Sequence, residues 1–109
     1  MTENERIGIA YLELADGTRI DGVTRAFEDI SFSKEPIRMF KVGIVTESLN
    51  GDDFVRMYQK GLFEKFKVVA IENGHVMDTG NLTKLNKISR QMEGRTGREY
   101  LLSFVKQEE

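Results

Sequence analysis

Residues 11–31, YLELADGTRIDGVTRAFEDIS, constrain the fold more than any other stretch of this chain. Leu12 and Leu14 alternate with Tyr11, Glu13 and Ala15, the period of two expected when a strand buries one face and wets the other. Asp16-Gly17 then breaks the pattern. An Asp-Gly pair between apolar runs is the strongest short hairpin signal, because the primed turns need a positive φ that glycine adopts without a Cβ clash. The return strand is expected over 18–24. Gly22 lies inside it, where glycine marks a bulge or a close approach of another backbone. Residues 29–33 alternate Ile30 and Phe32 with polar positions, and 37–45 form an apolar, β-branched run after the only proline, Pro36. Both read as strands.

Leu49-Asn50-Gly51-Asp52 carries turn chemistry and an N-cap candidate, after which Phe54, Met57, Tyr58 and Gly61 fall at helical spacing. A short helix over 52–60 follows, its aromatic and Met stripe turned to the core. Residues 66–71 form a strong apolar strand, and Asn73-Gly74 turns it into a short return strand over 75–77. Leu82, Leu85, Ile88 and Met92 recur every three or four residues, with Thr79 or Asn81 as a cap and Gly94 as a stop. That spacing predicts a helix over 82–93. Residues 100–105 close the chain as a strand. The expected architecture is mainly β (α+β), one domain over 1–109. It is a small antiparallel β-barrel or sandwich of about six to seven strands with two short helices packed on it.

Composition narrows the chemistry. With no cysteine, disulfides, thiol catalysis and the common zinc frameworks drop out, so packing must supply the stability. With one histidine, any Ser-His-Asp constellation would need His75, which follows Asn73-Gly74 in a hairpin turn where an exposed imidazole is the ordinary reading. The carboxylate pairs Asp52-Asp53 and Glu28-Asp29 lack the flanking spacing of a metal loop. No enzyme, catalytic residue, cofactor or metal is expected. No run reaches the roughly 20 apolar residues of a membrane span, and residues 1–10 lack the apolar core of a secretory signal, so a soluble, cytoplasmic protein is expected.

The net charge of −2 conceals a split. Residues 1–55 hold 6 Lys and Arg against 11 Asp and Glu, while 56–106 hold 10 against 5, so −5 faces +5. The basic half could meet a phosphate-bearing partner, or the two halves could pair with each other or simply be solvated.

The order Arg6, a strand ending in Asp16-Gly17, then Gly22-Val23-Thr24, then Asp29-Ile30-Ser31 resembles the opening of PilZ domains, small β-barrels that bind cyclic di-GMP. Leu49-Asn50-Gly51-Asp52 resembles their glycine turn, 66–71 their late strand and 100–105 their closing strand. In that family an RxxxR pair grips guanines and phosphates, and a DxSxxG corner hydrogen-bonds a guanine edge. The resemblance implies Arg6 as the second arginine, with Asp29 and Ser31 opening the corner. Thr2 stands at the first arginine position, Lys34 at the corner glycine, and six residues separate Gly22 from Asp29. A PilZ-like module with these departures is a cyclic di-GMP sensor or a degenerate protein-binding adaptor.

The same opening resembles the first motif of Sm-like RNA-binding barrels, since Gly17, Gly22 and Phe27 keep its spacing; barrel geometry alone can also generate that spacing. Gly94-Arg95-Thr96-Gly97-Arg98 is an arginine-rich GxxG turn following Lys84, Lys87 and Arg90. Exposed backbone N–H groups beside arginine can hold phosphate, as in KH-type RNA binders, although a glycine-framed helix stop gives the same pattern. Lys84, Lys87, Arg90, Arg95 and Arg98 are therefore the candidates for contact with phosphate or nucleic acid. The alternatives to the PilZ-like reading are a nucleic-acid-binding small barrel and a homo-oligomeric structural component, such as a phage assembly protein.

Overall fold

The computed structural model describes residues 9–31, 36–92 and 98–106. Seven strands and one helix follow in the order β1 (Ala10–Glu13), β2 (Arg19–Ser31), β3 (Ile37–Val45), α1 (Gly51–Gln59), β4 (Lys67–Ala70), β5 (Val76–Asp78), β6 (Leu82–Met92) and β7 (Arg98–Lys106). All pair antiparallel in one sheet of order β5-β4-β1-β2-β3-β7-β6. The mainly β expectation holds, with seven strands. The sheet does not close into a barrel, since β5 and β6 stand at its two edges. No helix among the described residues is long and apolar enough to cross a membrane.

The first hairpin forms where its residues place it, but through a three-residue loop over 15–17 instead of a primed turn. Gly17 alone in that loop has positive φ, and its N–H donates to Leu14 O at 2.9 Å. Asp16 Oδ1 accepts from the Thr18 N–H at 2.9 Å, Leu14 N–H donates to Thr18 O at 2.8 Å, and Gly17 takes φ +91°. The return strand is longer than its local pattern suggests: 18–24 and 29–31 belong to the single strand β2. Asp29-Ile30-Ser31 is therefore the end of a ladder against β3, Asp29 opposite Met39 and Ser31 opposite Ile37, and the rest of the expected corner, 32–34, lies outside the described residues. Gly22 is a bulge residue, because Ala10 faces Val23 while Leu12 faces Ile20, leaving one extra residue on β2.

α1 is capped as its sequence implies. Asn50 Oδ1 accepts from the Asp53 N–H at 3.0 Å, and Asp53 Oδ2 accepts from the Asn50 N–H at 2.9 Å, a reciprocal capping box. Phe54 of α1 is buried and meets Tyr100 with ring centroids 5.4 Å apart. Next to it Phe63, Phe66, Phe40 and Phe104 interlock edge-on or tilted at centroid distances of 5.3–6.0 Å. These rings fill the inner face with Leu12, Val23, Val42, Ile44 and Leu102.

The second expected helix is a strand. Residues 82–92 form β6 along β7, so α1 is the one helix among the described residues, and Gly94, the expected stop, lies outside them. The physical reason is in the register. Leu82 faces Lys106 but Lys84 faces Val105, and Leu85 faces Phe104 but Lys87 faces Ser103, so Thr83 and Asn86 are each an extra residue. Each bulge turns a spacing of two into a spacing of three. Leu82, Leu85 and Ile88 thus keep to the inner face of a strand with the periodicity of a helix.

Candidate functional site

The antiparallel ladders align whole rows of side chains across β2, β3, β7 and β6. Directly opposed residues project to the same face. On the face away from the aromatic core, one row reads Asp29, Met39, Val105, Lys84, and the next reads Phe27, Lys41, Ser103, Lys87. Residues far apart in the chain, including the Asp29 and lysine candidates, are brought onto one surface.

Lys41 Nζ stands 2.9 Å from Asp29 Oδ2, a diagonal pair between the two rows. The Lys41 ammonium, and after it the Ile30 N–H at 2.9 Å, hold the Asp29 carboxyl below its ordinary range. Asp29 remains anionic and 45% exposed, able to accept further hydrogen bonds. Phe27 is 37% exposed beside it on the same strand. Lys84 and Lys87 are exposed and lie within 4 Å of no carboxylate among the described residues.

One end of this face is built around Glu99. Its carboxylate is only 6% exposed and takes Thr24 Oγ1–H at 2.6 Å, Arg25 Nη2–H at 2.8 Å and Arg25 Nε–H at 3.3 Å. Thr24 and Arg25 are consecutive and would point to opposite faces of a regular strand. A second bulge in β2, between Val23 and Arg25, lets both reach the same carboxylate. Gly43 makes room below it: a Cβ there would stand 2.6 Å from Glu99 Oε2 and 2.9 Å from Arg25 Cγ. Because Glu99 and Arg25 neutralise each other, the cluster ties β2, β3 and β7 together, and among the described residues the uncompensated charge of the face rests with Lys84 and Lys87.

Of the remaining sequence candidates, Arg6 and Arg95 lie outside the described residues, as do the Gly94 and Gly97 of the GxxG turn. Ser31 ends β2, Arg90 lies in β6 opposite Tyr100, and Arg98 opens β7 opposite Met92. His75 follows the Gly74 turn, its backbone N–H donating to Asn73 Oδ1 at 2.9 Å. Sequence reading did not single out Lys41 or the Thr24–Arg25–Glu99 cluster. Lys41 had a readable signal, since it alternates with Phe40 and Val42 inside the apolar run 39–45. Glu99 had none, because its partners are contributed by β2, 74 and 75 residues away.

A cleft of about 310 Å³ lies elsewhere, at the Gly17 turn, lined by Glu13, Lys65, Phe66, Lys67 and Asp78 among others. The register places Asp78 opposite Lys67 and Lys67 opposite Glu13, so its charges alternate and largely compensate. It offers no preference for either sign of ligand. No family model, curated protein or solved structure matches this chain.

Proposed function

We propose that this chain is a non-enzymatic recognition module that takes a phosphate-bearing nucleotide ligand on the outer face of β2, β3, β7 and β6. The observation that carries this reading is the row register, which places Asp29 and Lys41 next to the partly exposed ring of Phe27 and Lys84 and Lys87 on the same face, three strands away. Ammonium groups supply attraction for phosphate, an aromatic face supplies a stacking surface for a base, and an anionic carboxylate accepts from base N–H groups. Cyclic di-GMP is the small ligand that the likeness to PilZ domains implies. Its recognition would use Asp29 together with Arg6 and Ser31.

The experiment is a thermal midpoint measured with and without cyclic di-GMP, mononucleotides and short oligonucleotides. Ligand at about 100 times its dissociation constant adds about 2.7 kcal/mol, which raises the midpoint of a domain near 100 residues by more than about 5 °C. A shift abolished by Lys84→Glu with Lys87→Glu supports the face. No shift with any nucleotide rejects it and leaves a protein-binding adaptor.

Self-association is a second reading with its own observation. Ile9, Ile71 and Val76 are exposed at the β5 end of the sheet, where the Ile71 N–H donates to Ile9 O at 3.0 Å and Val76 pairs with Val69. Exposed apolar side chains at a sheet edge invite a second chain. Sedimentation of a monomer at high concentration rejects this reading.

A further inference from the structure

We infer that the ligand of this face is single-stranded nucleic acid, running across the strands from Phe27 to Lys87 and preferring bases that carry an exocyclic amine next to Asp29. The inference rests on the proposed nucleotide-binding role of the same surface and adds the polymer, its path and its base preference.

The path follows from where charge lies. Phe27, Lys41, Ser103 and Lys87 form one cross-strand row, and three interstrand spacings make it about 14 Å long. Lys84 extends the cationic end into the adjoining row. A compact ligand would occupy one end of such a row, whereas an extended chain can place a base on Phe27 at one end and phosphates at Lys84 and Lys87 at the other. Among the outer-face side chains described on these strands, Arg25, Lys41, Lys84 and Lys87 oppose Asp29 and Glu99, and the excess is cationic. Arg25 is taken up by Glu99 and Lys41 is shared with Asp29. A phosphate backbone is therefore drawn toward Lys84 and Lys87 and away from Asp29.

The strandedness follows from Phe27. A ring on an open sheet face can stack only on a base whose own face is free, which a duplex does not offer. The base preference follows from Asp29, two residues along β2 on the same face. Held below its ordinary pKa range by Lys41 and the Ile30 N–H, this carboxylate accepts and does not donate. A base stacked on Phe27 presents its edge toward it. The exocyclic amine of cytosine donates to a carboxylate, whereas uracil offers a carbonyl at that position.

The test is fluorescence anisotropy with labelled oligocytidine, oligouridine, a duplex RNA of equal length and labelled cyclic di-GMP. Oligocytidine is expected to bind about tenfold tighter than oligouridine and at least tenfold tighter than the duplex, with affinity falling linearly in log–log coordinates as salt rises. Phe27→Ala should weaken oligocytidine about tenfold, and Lys87→Glu should weaken it further, while Lys60→Glu, an equal charge change on an exposed residue away from the face, serves as the control. Asp29→Asn should bring the cytidine-to-uridine ratio near one without loss of overall affinity, since it frees Lys41. Thermal midpoints of the variants separate misfolding from lost binding.

Equal binding of duplex, or oligocytidine binding that ignores both Phe27→Ala and Lys87→Glu, overturns the inference. Binding of cyclic di-GMP without oligonucleotide binding overturns it too but leaves the nucleotide-binding role standing. Binding of none of the probes removes both.

Discussion

Gly22 passes against Val45 so closely that a Cβ on it would stand 2.2 Å from the Val45 carbonyl oxygen. It also takes φ +92°, a region that L side chains rarely adopt. Gly17 shares that conformation, at φ +91°, but has nothing within 4 Å of where a Cβ would be.

The pair separates strain from space. Gly17→Ala should cost about 1–2 kcal/mol through the positive φ alone, whereas Gly22→Ala should cost at least about 2 kcal/mol more, because backbone cannot move aside as a flexible side chain can. Denaturant unfolding of both variants measures the difference. Equal costs would mean that β2 does not approach Val45 as described.

Removal of Arg25 leaves the Glu99 carboxylate buried with Thr24 alone. Arg25→Met should destabilise by about 1–3 kcal/mol, below the usual figure for a broken buried pair because Arg25 is 44% exposed. The double variant Arg25→Met with Glu99→Leu should recover part of that loss, since the stranded charge goes with its partner. A double-mutant cycle reads the coupling, and strictly additive losses would count against the pair.

Acid should weaken the ion pair that links Glu28 of β2 to Lys106 of β7 across β3. Lys106 Nζ, 2.8 Å away, and then Arg38 hold the Glu28 carboxyl below its ordinary value. A carboxylate whose folded pKa is depressed adds stability that is present above its unfolded pKa, near 4.3, and is lost as pH falls through the folded value. Stability of the parent chain should therefore drop more steeply below about pH 4.5 than that of Glu28→Gln. Screening by water keeps the difference small, and it should shrink further at 1 M salt. Identical acid profiles would remove the interaction.

Asn50→Ala takes away one half of the capping box and should cost about 1 kcal/mol, with Asn50→Asp close to neutral. The circular-dichroism thermal midpoint reads the difference. An alanine variant as stable as the parent would show that packing of Phe54 alone holds α1.

Local chemistry was legible in the chain wherever a few neighbouring residues decide the outcome. The Asp16-Gly17 hairpin, the Asn50 cap and the Asn73-Gly74 turn each satisfy their backbone groups within a handful of residues, so tertiary context had little to add. The helix expected over 82–93 failed for an equally definite reason. Two bulges in β6 shift the apolar spacing from two to three, and a bulge depends on the register against β7, which periodicity cannot reveal. The same register decides the candidate site. Asp29 was legible as a polar position, and Lys84 and Lys87 as cations, but that they share a face with Phe27 and Lys41 depends on four strands being stacked in the order β2-β3-β7-β6. The sequence alone thus determined the turns, the cap and the mainly β character, because backbone conformation and alternation are local. Tertiary structure alone decided which distant side chains meet, because strand order and bulged register are set by burial of the aromatic core.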